Sequence, residues 1–461
     1  MIKFIQQWLG IISLCIAGGL LTAPAWAADT LNWQTNRNRV SADIKTGNLF
    51  PLLEQIASVT GWHVYVEPDT SRAISAKFDD LPPGEALRLL LGDLNFALIP
   101  ETNTSPKLFV FRTTLRNATQ LVQPAKPAAS PAKAKVIPNE LIVRLKPGAK
   151  IDELEKLLGA KVIGRIDSLN AYRLQFDDQA ATDTARQQLV SNPDVASVDS
   201  NYVIDRPQET QGLAASARPL QLQLTPPPAD GRILIGLIDT AVQPLNGGLN
   251  AFLLKQLSVA GEAQLDPNSH SHGTAMAETM FRTLQDLNNG STSVQILPVD
   301  VYGPNPASST FDVAQGIALA VNKGANPINL SLGGPADSQV LRDVILDGSQ
   351  KGIIFYTAKG NTPDTNPVFP AADPGANAVT ALTSTGQIAS YANQAPIPAI
   401  GAAGTVVLPY NNQTFITQGT SVSTAIVTAT AGSLMENGSM TATEANKQLQ
   451  NKPTPTTLPG R

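Results

Sequence analysis

Cysteine is almost absent from this sequence. The only one, Cys15, lies in an apolar N-terminal stretch, so the rest of the chain contains no thiol and can form no disulfide. Charged residues are also sparse, at 15% of the chain, and the formal net charge is only −4. This mild acidity argues against nucleic acid or anionic lipid as the main partner.

Apolar runs long enough to cross a bilayer are absent beyond the first residues. At the N-terminus, Lys3 gives a positive start, an apolar core runs from Leu9 to Leu21, and Ala25-Trp26-Ala27 has the small-residue pattern of a cleavage site. We therefore expect residues 1–27 to be a signal peptide. An uncleaved membrane anchor is the alternative, but the run is short for a spanning helix.

Changes in composition divide the remaining chain, and its length predicts about three or four domains. Two proline-rich stretches lack an apolar period, which favours exposed spacers over packed elements. The predicted boundaries are a small N-terminal domain at 29–115, a linker at 116–138, a second small domain at 139–205, an exposed processing linker at 206–230, a larger domain at 231–445 and a polar tail at 446–461.

The first of these domains has a short α+β pattern. A helical pattern ending at Gly61, the strand His63–Val66, a second helix beginning at Pro82 and the strand Lys107–Phe111 follow one another. This layout resembles the short N-terminal domain of secretins and TonB-dependent receptors. The resemblance implies an envelope protein partner that binds through residues 29–115.

The second domain, 139–205, alternates strands and helices in the order strand, helix, strand, strand, helix, strand. That order on this length is typical of the ferredoxin-like α+β unit. The unit hosts many functions, so its sequence alone does not identify its role.

The third domain has continuous apolar strands, at 233–238, 294–301, 327–332 and 353–358, separated by helical patterns. Such strands predict an α/β fold, a parallel sheet covered by helices on both faces. In these sheets, reactive groups lie at the carboxyl ends of strands and the amino ends of helices.

Three polar residues occupy those positions. Asp239 closes a buried apolar strand, where a carboxylate needs a partner. His272 precedes Gly273-Thr274 at a helix start, and His270 competes with it for the same role. Ser421 lies ahead of a helical run, where unpaired backbone N–H groups can stabilise negative charge, although a plain N-cap serine is the commoner use of this context.

The order Asp239, His272, Ser421 resembles that of the subtilisin family. Three further stretches match the family in order: 329–334, 358–361, and 369–379 leading to 390–393. The resemblance implies a serine endopeptidase with these three residues as its catalytic triad and Asn361 in the oxyanion hole. It also implies an edge strand that binds the substrate backbone, formed by Ser331, Leu332, Gly333 and Gly334.

This resemblance, together with the position of the second small domain, predicts a role for that domain. A ferredoxin-like unit directly upstream of a protease-like domain resembles the propeptide of subtilisin-like enzymes, which inhibits the enzyme until it is removed. The partners implied are therefore protein or peptide substrates and the chain's own propeptide. An unrelated interaction module is the alternative.

The match departs from the family at a few positions. Ala425 stands where proline is usual, Ser423 replaces alanine, and Glu278 replaces glycine. The segment 287–294 is shorter than the family's calcium-binding loop, so we expect no metal or cofactor there, although calcium elsewhere leaves little spacing signature.

Two functions compete on the sequence alone. The first is an active, self-processing protease zymogen, either free or tethered to one partner through residues 29–115. The second is a catalytically inactive subtilisin-like binding module in the cell envelope. All four chemical positions are intact, which favours the enzyme. The signal peptide and the secretin-like layout predict a periplasmic or secreted location.

Overall fold

The structure is a computed structural model in which parts of the chain are described. These parts are residues 30–35, 37–67, 70, 72–100, 105–118, 120–122, 133–207, 211–213, 222–225, 233–245, 248–266, 269–410, 413–438 and 440–451. The predicted signal peptide and most of the predicted 206–230 linker lie outside these ranges. The chain forms two compact units, 1–128 and 129–461. No helix within the described ranges is long and apolar enough to span a membrane.

The first unit contains two small sheets and two helices. Its elements are β1 (Thr30–Gln34), β2 (Arg39–Asn48), α1 (Leu49–Thr60), β3 (His63–Val66), β4 (Ala73–Leu81), α2 (Pro83–Leu91), β5 (Asn95–Ile99), β6 (Lys107–Phe111) and β7 (Gln120–Val122). The sheets have the orders β1-β2-β4 and β5-β6-β3-β7. Both helices bury apolar faces in one shared core.

Several strands of this unit are absent from the sequence prediction. In β2, only Val40, Ala42 and Ile44 are buried among polar neighbours, so the strand shows a weak apolar alternation. The strand β7 falls within the predicted linker 116–138, where it pairs with β3 and buries Val122. The predicted spacer is therefore shorter than its composition suggests.

The second unit begins with a four-stranded antiparallel sheet. Its elements are β8 (Val136–Leu145), α3 (Ile151–Leu158), β9 (Lys161–Ile166), β10 (Ala171–Gln175), α4 (Gln179–Val190) and β11 (Val195–Asp205). These four strands have the order β11-β8-β10-β9, and a fifth strand from later in the chain, β16 (Ala307–Ser309), extends the sheet beside β11. Helices α3 and α4 cover one face, where Leu154 and Leu189 pack against Leu141 and Leu174.

The remainder of this unit is an α/β domain with a seven-stranded sheet. Its elements are β12 (Gln211–Leu213), β13 (Leu234–Asp239), β14 (Leu257–Ser258), α5 (His272–Leu287), β15 (Gln295–Asp300), β16 (Ala307–Ser309), α6 (Thr310–Asn322), β17 (Ile328–Leu330), α7 (Gln339–Gln350), β18 (Phe355–Ala358), β19 (Ala376–Leu382), β20 (Ala399–Ala403), β21 (Thr405–Tyr410), β22 (Gln413–Gln418), α8 (Thr420–Gly438) and α9 (Ala442–Asn451). The sheet order is β14-β15-β13-β17-β18-β19-β20, and every pairing is parallel.

Helices cover both faces of this sheet, as the apolar strands predict. The core on one face includes residues of α5, α8 and α9, whereas the core on the other face includes residues of α6 and α7. Helix α9 extends into the predicted polar tail 446–461, because Ala445 and Leu449 are buried in the domain. The parallel sheet is thus confirmed, and the tail is shorter than expected.

The antiparallel sheet packs its second face directly against α6 and α7. Ile142, Ile166 and Ile204 share a core with Phe311 of α6 and Leu341 of α7. Polar groups of β11 also reach the amino ends of both helices. Asn201 Oδ1 accepts from Phe311 N at 3.1 Å, and Asp199 Oδ2 accepts from Gln339 N at 2.7 Å. Strand β11 therefore caps helix N–H groups that have no partner within their own helices.

One arginine lies between two carboxylates at this contact. Arg173 donates to Glu140 at 2.8 and 2.9 Å within its own sheet, and to Asp312 of α6 at 3.1 Å. All three side chains are largely buried, with 18%, 7% and 16% of their surface exposed. Because these three charged groups are largely shielded from water, loss of the Arg173 cation would leave the two buried carboxylates without a compensating positive charge.

We therefore predict that Arg173→Ala destabilises the unit by about 3 kcal/mol, the cost of breaking one partner of a buried ion pair. In a background with Ser421→Ala, which prevents any self-cleavage, its midpoint of thermal unfolding should fall by about 5 °C or more. The matched control is Arg165→Ala, whose 70% exposed side chain pairs only with exposed Asp167. Equal midpoints for both variants would contradict the prediction.

Candidate active site

Asp239 and His272 form a buried hydrogen-bonded pair. His272 Nδ1 lies 2.8 Å from Asp239 Oδ1 and 3.0 Å from Oδ2. Asp239, at the carboxyl end of β13, is fully buried, and His272 opens α5. Because a carboxylate only accepts, Nδ1 carries the hydrogen and Nε2 of the neutral ring is left as an acceptor.

The start of α5 lies unusually close to the strand that carries Asp239. A Cβ on Gly273 would lie 2.1 Å from the carbonyl oxygen of Thr240, so only glycine fits. Gly273 N donates to Thr240 Oγ1 at 2.8 Å, and Ser271 caps the helix by accepting from Thr274 N. The Gly-Thr pair after the histidine thus fixes the ring beside the carboxylate.

Ser421 lies in the first turn of α8, directly after Gly419 and Thr420. Its Oγ donates to the carbonyl of Ser331 at 3.2 Å, and Ser331 Oγ donates to the Ser421 carbonyl at 3.1 Å. Gly419 has a φ of +148°, a conformation that side-chain-bearing residues rarely adopt. The turn into α8 therefore depends on this glycine.

A chain of buried polar side chains connects Ser421 to the core. Thr428 donates to Asn329 Oδ1 at 3.0 Å, and Asn329 Nδ2 donates to Ser331 Oγ at 2.9 Å. Ser331 in turn holds the Ser421 main chain. The position of the serine is thus set by groups on β17 and α8 together.

Asn361 is anchored through its side-chain oxygen. Oδ1 accepts from Thr420 N at 2.8 Å and from Thr420 Oγ1 at 3.0 Å. The amide NH₂ is therefore the remaining donor of the side chain, and it lies close to Gly419 in the turn before Ser421. The role of Asn361 as an oxyanion-hole donor stays a prediction.

The segment 331–334 borders the same region. Ser331 contacts Ser421, and Gly333 has no room for a side chain because its Cβ would lie 2.8 Å from the carbonyl oxygen of Phe369. Gly334 exchanges two main-chain hydrogen bonds with Phe369. Leu332 is buried in the core that includes Ile204. Binding of a substrate backbone to this segment stays a prediction.

The competing histidine, His270, has a different set of partners. Its Nε2 lies 3.0 Å from Glu278 Oε2, and its ring packs against Tyr410 and Phe415 at centroid distances of 4.8 and 4.6 Å. Burial raises the pKa of Glu278, while His270 acts in the opposite direction. Glu278, which replaces the expected glycine, thus pairs with His270.

The other two residues that differ from the family pattern, Ser423 and Ala425, also fit the structure. Ser423 is fully buried and donates to the carbonyls of Ala402 and Ala403 at 3.1 and 3.0 Å. Ala425 is fully buried in the core beneath α8. Neither residue removes a group that the predicted chemistry needs.

The chain itself pairs with strands near Ser421. The end of β11 pairs antiparallel with β16, from Val203↔Ser309 to Asp205↔Ala307. A Cβ on Gly334 would lie 3.3 Å from the Ile204 side chain, so this strand end also borders the segment that contacts Ser421. β12 pairs antiparallel with β22, which ends at Gln418 just before the serine. The sequence does not predict these pairings, because β12 and β16 are only three residues long and have no apolar period.

One further buried carboxylate lies in the segment after Phe369. The side chain of Asp373 is 1% exposed, and neither oxygen has a hydrogen-bond partner among the described residues. Arg342 Nε is 3.8 Å away, and Arg342 also pairs with the half-exposed Asp337. Burial raises the pKa of Asp373 to about 7, and the Arg342 charge only partly opposes this.

Metal binding has no support from side-chain clusters in the described ranges. No group of three or more His, Cys, Asp or Glu side chains there lies close enough to hold a metal ion. The expectation that the protein uses no cofactor stays a prediction.

Family comparisons agree with this fold and with the order of its parts. Residues 230–458 match the Subtilase family, and residues 122–201 match the Fervidolysin N-terminal prodomain. The chain therefore contains a domain that matches the Subtilase family, preceded by a region that matches a prodomain. The antiparallel sheet of β8 to β11 accordingly lies within the prodomain.

Individual relatives are bacterial proteases. The chain is 32% identical to a thermostable alkaline protease from Halalkalibacterium halodurans over 38% of its length and 51% of the relative. It is 26% identical to thermitase from Thermoactinomyces vulgaris over 44% of its length and 75% of the relative. The chain thus spans about half the length of the first of these proteins.

A solved structure shows the same fold. The epidermin leader peptide processing serine protease from Staphylococcus aureus superimposes with a TM-score of 0.51 over 69% of this chain and 92% of that chain. Sequence identity is 15%, so this likeness concerns the fold alone.

The raised pKa of Asp373 predicts a pH-dependent stability. Between pH 4 and pH 7 the folded chain retains a proton that the unfolded chain has lost, so stability falls as pH rises through this window. Asp373→Asn should remove this loss, which amounts to at most about 4 kcal/mol. In the Ser421→Ala background, we expect it to raise the midpoint of thermal unfolding at pH 8 but not at pH 4.

Asp337→Asn is the matched control, because it also removes a partner of Arg342 but leaves the buried carboxyl in place. Its unfolding midpoint should keep the pH dependence of the parent. If Asp373→Asn keeps that dependence as well, the buried carboxyl is not its source.

Proposed function

We propose that this protein is a serine endopeptidase made as a self-processing zymogen. The observation that carries the proposal is the buried Asp239–His272 pair, 2.8 Å apart, in a Subtilase family domain that presents Ser421 at a helix start. A carboxylate that fixes the tautomer of a histidine, together with a serine at a helix start, is typical of nucleophilic acyl transfer. We assign Asp239, His272 and Ser421 as the catalytic triad.

Each residue has a defined task in this mechanism. Ser421 Oγ exchanges its bond to the Ser331 carbonyl for one to His272 Nε2, which removes its proton as Oγ attacks the peptide carbonyl. His272 then gives this proton to the leaving amine. Asp239 stabilises the imidazolium that forms in between, and a water molecule hydrolyses the acyl-enzyme by the same steps in reverse.

The developing oxyanion needs donors that are already in place. We assign this role to the Asn361 side-chain NH₂ and to the Ser421 backbone N–H in the first turn of α8. Thr420 holds the Asn361 oxygen through two hydrogen bonds, so the amide cannot turn its oxygen toward the negative charge without losing both. This anchoring pre-organises the donor.

We further propose that an extended peptide substrate binds beside Ser421 through main-chain hydrogen bonds to strand edges. The chain's own pairings with β16 and β22 support it, because both strands offer edges to an extended segment. The segment Ser331, Leu332, Gly333 and Gly334 borders the first of these edges. Recognition through the backbone favours unfolded substrates of varied sequence.

The prodomain acts as the inhibitor that self-processing removes. Its strand β11 continues into the pairing with β16, and β12 pairs with β22, which ends at Gln418 just before Ser421. A cut between Asp205 and Gln211 would separate the two strands, and this interval lies at the start of the predicted processing linker 206–230. The prodomain match is consistent with this role.

The location and partner of the N-terminal unit form a second part of the proposal. The signal-peptide pattern of residues 1–27 supports export, and the layout of residues 29–115 supports docking on an envelope protein. The protease would then act in the periplasm or outside the cell, with its substrates restricted by the complex to which it is tethered.

Self-processing has a direct test. Residues 28–461 are expressed as wild type and as Ser421→Ala, and intact masses are recorded after folding. We expect only the wild type to split, with the cut between Asp205 and Gln211, because Ser421 supplies the nucleophile. If both chains stay whole and neither cleaves unfolded casein, an inactive envelope-binding module becomes the better hypothesis.

The role of Asn361 predicts a specific kinetic loss. Asn361→Ala should lower kcat by about 100- to 1,000-fold with little change in KM, the loss established for such a donor in subtilisin. Asn366→Ala, which truncates an exposed amide in the same loop, is the control and should retain activity. A parallel rise in KM would point instead to a role in ground-state binding.

A further inference from the structure

Residues 203–205, at the end of β11, pair with β16 and contact specific neighbouring residues. Ile204 is 1% exposed and packs in the core next to Gly334. The carbonyl of Asp205 accepts a hydrogen bond of 3.3 Å from Tyr302 Oη. A substrate that pairs with β16 in the same register would offer its own side chains to these surfaces.

Arg206 comes immediately after this segment and makes several contacts. Its Nη1 donates to the carbonyl of Gly303 at 3.1 Å and to that of Asn305 at 2.9 Å. The guanidinium carbon lies 5.6 Å from the centroid of the Tyr302 ring. Two carbonyl acceptors and an aromatic face together are suited to a planar cation.

Negative charge lies beneath this surface. Asp300 is fully buried, and its Oδ1 accepts from Tyr302 N and Gly303 N at 2.9 Å each. Its Oδ2 has no hydrogen-bond partner among the described residues. Burial raises the pKa of Asp300, the two N–H groups lower it, and the charge of Arg206 lowers it as well. A cation above the loop thus stabilises the ionised carboxylate.

Close contacts hold the loop 302–305 in its conformation. Gly303 has a φ of +55°, and a Cβ there would lie 2.3 Å from the carbonyl of Ala260. The Tyr302 side chain is fully buried between β15 and the prodomain strand. Because the contact of Gly303 with Ala260 does not involve the prodomain, the two carbonyls keep their positions when the prodomain segment leaves.

We propose that Tyr302, Gly303 and Asn305, backed by Asp300, form a substrate subsite for a basic side chain of the arginine type. This inference rests on the proposed protease function and deepens it. The preferred substrate would carry an apolar residue where Ile204 lies and an arginine two positions later, with the cut beyond the arginine. Arginine is preferred over lysine, because only the guanidinium combines planar donors with stacking on the ring.

The test uses internally quenched peptides with the sequence of residues 201–213 and the processed enzyme from residues 28–461. One peptide keeps the arginine, and two others carry Arg206→Gln and Arg206→Lys. We expect kcat/KM to fall about tenfold with glutamine and less with lysine, in line with the loss of a cation–π contact and charge-assisted hydrogen bonds. Product masses should place the cut between Arg206 and Gln211.

A peptide with Asp205→Asn is the matched control for net charge. It changes the charge by one unit next to the subsite but leaves the arginine intact, so its kcat/KM should stay within about twofold of the parent. Unfolded casein is cleaved in parallel. Lack of casein cleavage would reject the proposed function, whereas casein cleavage with equal rates for the arginine and glutamine peptides would reject the subsite alone.

Two variants of the enzyme distinguish the contribution of the Tyr302 ring to substrate preference from that of its hydroxyl. Tyr302→Phe removes the hydrogen bond to the substrate carbonyl, so all peptides should lose kcat/KM equally and the arginine-to-glutamine ratio should persist. Tyr302→Leu removes the ring, and the ratio should fall by about threefold or more. An unchanged ratio in Tyr302→Leu would overturn the assignment of the ring. If that variant does not fold, the peptide series on the wild type still decides the proposal.

Discussion

The second unit depends on one strand of the prodomain, β11. This strand completes the antiparallel sheet, supplies Asp199 and Asn201 to the amino ends of α7 and α6, and then pairs with β16 near Ser421. Helix α7 has no side-chain cap from its own N-cap residue, Ser338. A carboxylate at that end both accepts from an unpaired N–H and interacts favourably with the helix dipole. The catalytic domain thus receives part of its helix stabilisation from the segment that also lies beside its site.

The site combines rigid and adaptable parts. Asp239, His272 and the start of α5 are fixed by a contact that only Gly273 permits, and Asn361 is held by two bonds from Thr420. By contrast, the Ser421 hydroxyl bonds to a carbonyl that it can leave by rotation of one side-chain torsion. In the proposed mechanism, the groups that must not reorganise are therefore held by several bonds, whereas the Ser421 hydroxyl keeps the freedom to rotate.

Much of the central sheet could be predicted from the sequence. β13, β15, β17 and β18 are buried on both faces, so each appears as a continuous apolar run. The alanine-rich β20 has no such run, and the hairpin of β21 and β22 alternates too weakly to stand out. Motif order brought Asp239, His272 and Ser421 forward as a set, and the structure places the first two in contact. Glu278 could not be interpreted, because its partner His270 is held by Tyr410 and Phe415, residues distant in sequence.

If the chain is processed as proposed, the pairings of β11 with β16 and of β12 with β22 have a consequence for the processed protein. While the chain is whole, its own strands cover the edges of β16 and β22. Once they depart, both edges expose rows of unsatisfied amide and carbonyl groups, the feature that makes uncovered β-strands prone to self-association. In the proposed enzyme, the same exposure that would capture an unfolded polypeptide would also favour aggregation with other unfolded chains, including partly unfolded copies of itself.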